Sequence, residues 1–193
     1  MKPSLPSKKV LRILVTRTDR IGDFVLSTPV FSALREKFPE SWIAGMTFSE
    51  NRELAEGHPA LNEVILYDKK GSEKGWRGNL LFAGKLRKKK IDLVIHLHAT
   101  NRMHLVTWLA GIPIRIGYGR KSSWALTHSY PDQKKEGKKH EAEYNFDLLK
   151  DLDVEAPEEL KTYVPVSPRF ERSLDSLLKF HRIPSRSPWV VFN

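Results

Sequence analysis

Five short apolar segments alternate with longer amphipathic segments along this chain, and the alternation limits the fold more than any other feature. The apolar segments are rich in β-branched and aromatic residues, as strands are, and they cover residues 11–16, 42–48, 63–68, 91–97 and 114–118. Between them, apolar residues recur at helical spacing. Strands separated by helices pair in parallel through right-handed crossovers. We therefore predict a doubly wound α/β sheet.

The remainder of the chain shows a less regular pattern. Residues 140–152 and 169–183 are amphipathic and are predicted helices. The polar stretch 119–137 has no sustained period and predicts a long surface loop. A breaker-rich linker and an apolar strand close the sequence, and such a strand usually opens a domain. We expect one domain over residues 1–185, and over 186–193 a linker and the first strand of a second domain that is otherwise absent.

Composition excludes several classes of protein. The chain has no cysteine and therefore no disulfides or thiolate metal sites, which is typical of cytoplasmic proteins. Its apolar runs are far shorter than the roughly 20 residues that span a bilayer, and no secretion signal opens the sequence. The formal net charge is +10, with basic clusters at residues 85–90, 115–121 and 134–139. Such clusters either attract polyanions or form a solvated face.

The segment VTRTDRIGDFVLSTP, residues 15–29, follows the first predicted strand. In open α/β sheets, ligands bind beyond the carboxyl ends of the strands where strand order reverses, and this loop is a candidate for that position. Gly22 gives a ligand room to approach the main chain. Asp23 has three open roles: helix N-cap, binder of a sugar hydroxyl, or general base. Asp19 could bind a ligand in the same way or form a turn.

Other groups of polar residues are weaker indications of a functional site. Asp151 and Asp153 form a DLD pattern, but they end a predicted helix and lack a convergent oxygen cage for a metal. His96 and His98 share one strand face, where we expect one to be a hydrogen-bonded core group and the other to border a cleft. The sequence has no G-x-G-x-x-G, Walker or G-x-S-x-G motif.

Segments spread over nearly the whole chain resemble the bacterial heptosyltransferases of glycosyltransferase family 9. The opening ILVTRTDRIGDFVLSTPVFSALREKFP is similar to that family's start, with its Gly-Asp and Thr-Pro. IDLVIHLHATNRMHLVTWLAGIPIRIGY, KKHEAEYNFDLLKDLDV and SPWVVFN resemble later family segments in the expected order. The family commonly shows Asp-Leu-Gln where this chain has His-Leu-His at 96–98, a departure that bears on the acceptor.

The resemblance implies a GT-B enzyme of two facing Rossmann-like domains, with this chain as the N-terminal, acceptor-binding half. Such enzymes transfer heptose from an ADP-sugar to the lipopolysaccharide inner core with inversion and without a metal or other cofactor. Asp23 matches the family's catalytic aspartate, whose role is general base. The resemblance also implies a cytoplasmic protein that is peripheral at the inner membrane.

Inner-core acceptors carry carboxylates and phosphates, which arginine side chains hold well. Six residues are our candidates for acceptor binding, and Arg115, Arg120 and Lys121 are predicted to share an edge with Asp23. The six are Arg20, Gly22, Arg115, Arg120, Lys121 and His140. We expect an anionic membrane surface as a further partner and no nucleic acid. The alternatives are a polyanion-binding or nucleic-acid-binding module without catalysis, and a silent docking domain.

Overall fold

The computed structural model describes residues 10–120 and 122–184. Within this part, six strands and seven α-helices alternate in an α/β arrangement. The strands are β1 Arg12–Thr16, β2 Trp42–Thr47, β3 Glu63–Leu66, β4 Leu93–His96, β5 Ile114–Tyr118 and β6 His128–Tyr130. The helices are α1 Ile21–Val25, α2 Thr28–Lys37, α3 Arg52–Glu56, α4 Gly75–Lys88, α5 Asn101–Leu109, α6 Glu141–Asp147 and α7 Pro168–Phe180. The expected linker and strand over 186–193 lie outside the described residues.

All six strands belong to one parallel sheet with the order β3-β2-β1-β4-β5-β6. The five strands expected from the apolar segments are present, which confirms the predicted doubly wound sheet. The sequence order reverses beside β1, because β1 pairs with β2 on one side and with β4 on the other. A ligand site is therefore expected where β1 and β4 end.

The prediction of a long surface loop over residues 119–137 was wrong. This stretch contains β6, which pairs with β5 through Ile116 and His128 and through Tyr118 and Tyr130. It also contains two short 3-10 turns. A strand of three residues is too short to show a hydrophobic period. As an edge strand, it also has a neighbouring strand on one side only.

The core has one layer on each face of the sheet. Alternate residues of β4 point to opposite faces: Ile95 joins the layer with α1, α2, α3 and α6, whereas Val94 joins the layer with α4 and α5. Phe31 and Phe146 fill the first layer, and Phe82 of α4 fills the second. Because both faces of the central strands are covered, their apolar runs are continuous.

The chain after β1 forms two helices rather than one. The short α1 ends at Val25, and α2 begins at Thr28 with Pro29 in its first turn and Ser27 at its N-cap. One helix therefore ends before Pro29, and Pro29 lies in the first turn of the next. The break places α1, which carries Asp23, directly at the switch point.

Candidate functional site

A buried arginine organises the loop after β1. Arg17 directly follows the strand, and only 3% of its side chain is exposed. Its guanidinium donates to Asp19 Oδ1 at 2.8 Å and to Glu141 Oε1 at 3.1 Å. It also donates to the Leu97 carbonyl at 3.2 Å and to Asn145 Oδ1 at 3.3 Å. One cation thus joins the loop after β1, the end of β4 and helix α6.

Asp23 contacts the same cation. Its Oδ1 lies 3.2 Å from Arg17 Nη2, and 34% of its side chain remains exposed. Asp23 is the third residue of α1, whose N-cap is Arg20. The interpretation of Asp23 as an N-cap is therefore wrong. Since the ion pair with Arg17 involves one of the two carboxylate oxygens, the other can accept a hydrogen bond from a bound molecule.

Gly22 lies in the first turn of α1 without a positive φ, so the backbone there does not require glycine. A Cβ at this position would have no atom within 4 Å. A small side chain would therefore fit at this position, and the role of Gly22 in giving a ligand room stays a prediction.

Asp19 forms the next part of the site. His98 Nδ1 lies 3.7 Å from Asp19 Oδ2 and 3.1 Å from the Thr18 carbonyl. Burial raises the pKa of the Asp19 carboxyl above its usual range, while the charges of Arg17 and His98 oppose that shift. The turn-former interpretation of Asp19 is incomplete, because its carboxylate forms an ion pair with Arg17.

The two histidines of the fourth strand segment divide as predicted. His96 is fully buried, with Nδ1 2.8 Å from Thr16 Oγ1 and Nε2 3.1 Å from Thr107 Oγ1. Burial holds the pKa of His96 well below its usual range, and His104 and Arg115 act in the same direction. His98 is 39% exposed and borders a cavity.

That cavity has a volume of about 450 Å³ and lies beside the buried cation. The four loops that follow β1, β2, β3 and β4 at the carboxyl edge of the sheet line it, and most of the lining residues have polar side chains. The lining residues are Thr18, Asp19, Arg20, Ile21, Phe48, Glu50, Asn51, Lys69 and His98. Arg20 is exposed here, and no carboxylate in the described part of the chain pairs with it.

Helix α6 and the segment before it supply further charged partners around Arg17. Lys134 Nζ donates to Glu141 Oε1 at 2.5 Å and lies 5.1 Å from the centre of the Tyr118 ring. Glu141 therefore accepts from both Arg17 and Lys134. Our sequence reasoning did not identify Arg17, Glu141 or Lys134 as site residues. The available signal was the position of Arg17, a charged residue directly after an apolar strand, at the edge of the sheet where ligands bind.

The other predicted acceptor residues are not brought together around Asp23. Arg115 is the second residue of β5, so it begins that strand rather than following its end. Its guanidinium donates to the carbonyls of Ala125 and Ile112, which gives it a structural role. His140 is the N-cap of α6, where its ring accepts from the Ala142 N–H in a capping box with Glu143.

Arg120 follows β5 at the expected edge, 50% exposed, with Nη1 3.2 Å from Asp132 Oδ2. Lys121 lies outside the described residues.

Among the described residues, no group of three histidine or acidic side chains is placed to hold a metal ion. The same residues include no helix with the length and hydropathy of a membrane span.

Comparison with known proteins relates this fold to glycosyltransferases. No family model matches the chain. A curated protein of Haemophilus influenzae named "Putative glycosyltransferase" is 27% identical over 140 residues, which is 72% of this chain and 40% of that protein. The chain therefore spans less than half of this curated relative.

Solved structures define the fold more closely. A family 9 glycosyl transferase from Veillonella parvula matches with a TM-score of 0.79 and 24% identity over 93% of this chain and 52% of that one. The E. coli ADP-heptose lps heptosyltransferase II matches with a TM-score of 0.68 and 22% identity over 92% and 53%. The E. coli heptosyltransferase WaaC, solved with ADP, matches with 0.64 and 22% over 77% and 49%.

The fold of this chain is thus that of a glycosyltransferase domain. More particularly, it is the fold of the family 9 heptosyltransferases, which are GT-B proteins, over about half of their length. The resemblance seen in the sequence is confirmed at the level of the fold.

Proposed function

We propose that this chain is the acceptor-binding half of an inverting glycosyltransferase that transfers heptose from an ADP-sugar to the anionic inner core of lipopolysaccharide. Three findings support the proposal: the family 9 fold, the sequence similarity to a curated glycosyltransferase, and the ligands of a structural neighbour. WaaC has been solved with ADP and with ADP-2-deoxy-2-fluoro heptose. In this proposal a second domain holds the ADP-sugar, and the protein works in the cytoplasm at the inner face of the membrane.

The observation that carries the proposal is the setting of Asp23. Its carboxylate is half-buried at the switch point of the sheet, is held on one side by Arg17 at 3.2 Å, and keeps 34% of its side chain exposed. A general base needs both features, a fixed position and access to the proton that it removes.

In the proposed reaction, an acceptor hydroxyl oxygen attacks the anomeric carbon of the donor sugar. A bond forms from this oxygen to the anomeric carbon, while the bond from that carbon to the ADP oxygen breaks and ADP leaves as an anion. Asp23 takes the hydroxyl proton as the new bond forms. Attack from the side opposite the departing ADP inverts the configuration.

Arg17 acts on Asp23 by position rather than by contact with the reacting atoms. Because its guanidinium is anchored to Glu141 and to the Leu97 carbonyl, it restricts the Asp23 carboxylate to one orientation. A fixed orientation of the base saves conformational entropy in the transition state. Arg17 is therefore a positioning residue in this proposal.

Acceptor binding is assigned to the exposed cations at the same edge. Arg20 lines the cavity and is free of ion pairs among the described residues, and Arg120 is half exposed. Guanidinium groups can hold carboxylates and phosphates with two parallel hydrogen bonds. We retain Lys121 as a further candidate, whereas Arg115 and His140 serve the fold.

The decisive test is Asp23→Asn in the full-length protein, which includes the proposed donor domain. We expect turnover to fall by about 10²–10⁴-fold, the usual contribution of general acid–base catalysis, with donor affinity unchanged. The melting temperature should fall only slightly, because Arg17 keeps its ion pairs with Asp19 and Glu141. Glu50→Gln is the matched control, because Glu50 is another carboxylate at this edge of the sheet, in the lining of the cavity, but has no place in the reaction. Retained turnover in Asp23→Asn would refute the assignment.

Chelation of metals should leave turnover of the unmodified protein unchanged.

A further inference from the structure

The positive charge of this chain is concentrated in one segment that the proposed reaction does not use. Residues 69–90 contain nine basic residues and one acidic residue, in a chain whose total net charge is +10. The segment consists of the loop after β3 and helix α4. Within the described part of the chain, only Lys85 and Lys89 of these nine form ion pairs with carboxylates. The remaining cations include Lys74, Arg77 and Lys88, all exposed.

The outer face of α4 is also apolar. Trp76 is 68% exposed, Leu81 is 70% exposed and Leu80 is 45% exposed. Trp76 and Leu80 are four residues apart, as are Arg77 and Leu81, so these four side chains form one patch on the helix surface. The inner face is already occupied, because Phe82 and Leu86 pack into the core.

We propose that this outer face of α4, with the preceding loop, is a docking surface for an anionic lipid bilayer. A helix with exposed tryptophan and leucine among lysines and arginines lies in the membrane interface, with its apolar side chains among the acyl chains and its cations at the headgroups. Arg77 lies over the Trp76 ring at 5.3 Å, which holds a cation at the level of the aromatic side chain.

Charge and chemistry favour a bilayer over other occupants. Nucleic acid could contact the cations through its phosphates and stack its bases on the tryptophan ring, but it offers no apolar environment for Leu80 and Leu81. A second copy of the chain would bring two strongly basic segments together, and the like charges would oppose the contact. An anionic bilayer complements both the charge and the apolar side chains.

The docking surface leads to the candidate site. Lys69 begins the basic segment, lies 4.2 Å from the centre of the Phe48 ring and lines the same cavity as Asp19. An acceptor anchored in the bilayer could therefore reach the carboxyl edge of the sheet from the membrane side. This inference deepens the proposed function and rests on it for its biological meaning, but the binding itself can be tested without any transfer reaction.

The experiment is co-sedimentation of the 193-residue chain with vesicles of phosphatidylethanolamine containing about one third phosphatidylglycerol. We expect Trp76→Ala combined with Leu81→Ala to weaken binding at least about tenfold, because two apolar side chains lose their place in the bilayer. Arg77→Glu combined with Lys88→Glu should also weaken it at least about tenfold. Phe180→Ala is the apolar control, since Phe180 is 82% exposed on α7.

A conservative variant separates a loss of binding from a loss of folding. Trp76→Phe keeps an apolar ring and should retain vesicle binding while losing most of the blue shift in tryptophan emission that vesicles cause. The proposal is overturned if neutral phosphatidylcholine vesicles bind equally well, or if the Ala double variant binds as tightly as the unmodified chain. It is also overturned if the chain sediments as a dimer through this face, or if a single-stranded oligonucleotide binds while vesicles do not. None of these outcomes depends on glycosyl transfer.

Discussion

The guanidinium of Arg17 lies 3.2 Å from the Asp23 carboxylate and 3.1 Å from the Glu141 carboxylate, so one buried cation ties the helix after β1 to α6. Residues more than one hundred positions apart thereby share one electrostatic centre. The loop that carries the candidate base consequently depends on a helix from the far end of the domain.

Arg17→Met should destabilise the domain strongly, because it leaves Asp19, Asp23 and Glu141 without their shared cation. Removing one member of a buried ion-pair network typically costs about 3–5 kcal/mol. Denaturant unfolding of the chain measures the effect. Arg52→Met is the control: its ion pair with Glu56 is exposed on both sides and should contribute less than about 1 kcal/mol. Equal losses in the two variants would show that the Arg17 cluster is not a structural centre.

Arg120→Ala in the full-length protein should raise the KM for the acceptor by about tenfold, because one charge-assisted hydrogen bond to an anionic acceptor is lost. Donor KM should stay nearly constant. Steady-state kinetics with each substrate varied in turn separates the two constants. Lys161→Ala provides a control, since Lys161 is an exposed cation whose partner is Glu159. An unchanged acceptor constant in Arg120→Ala would assign this side chain to its ion pair with Asp132 alone.

The 193-residue chain alone should bind ADP weakly or not at all, because the proposal places the donor on a second domain. Titration calorimetry with ADP measures this directly, and the full-length protein serves as the positive control. Tight and saturable binding to the short chain would overturn the division of labour between the two domains. It would leave the fold assignment unaffected.

His58 should make the domain less stable in acid. Its side chain is buried between the rings of Phe31 and Tyr163, and burial lowers the pKa of His58 to about 4. Its ordinary value is 6.5, so between pH 6.5 and 4 the unfolded chain binds the proton more readily than the folded chain. Stability present above pH 6.5 is therefore lost as the pH falls toward 4, by about 3 kcal/mol for such a shift.

The measurement is the unfolding free energy of the unmodified chain and of His58→Gln at pH 7.5 and at pH 5. Glutamine cannot titrate but can still accept from the Ala60 N–H, as His58 Nδ1 does. The variant should therefore lose less stability between the two pH values. His181→Gln, at an exposed helix end, should lose as much as the unmodified chain. Identical pH dependence in His58→Gln would contradict the prediction.

The sequence by itself determined the sheet and the location of the candidate site. Continuous apolar runs separated by amphipathic segments leave parallel pairing with helices on both faces as the stable arrangement. Five of the six strands followed from that pattern, as did the loop with Gly22 and Asp23 after β1. These features follow from the local composition of the apolar runs and from the helical period of 3.6 residues between them.

Only the tertiary structure decided how that site is built. It replaced the N-cap role of Asp23 with an ion pair to Arg17, it turned Arg115 and His140 into structural groups, and it added β6. Glu141 reaches Arg17 because the sheet order brings the end of β1 and the start of α6 together. A side chain's charge partners depend on where distant segments cross, and no local period of the sequence carries that information.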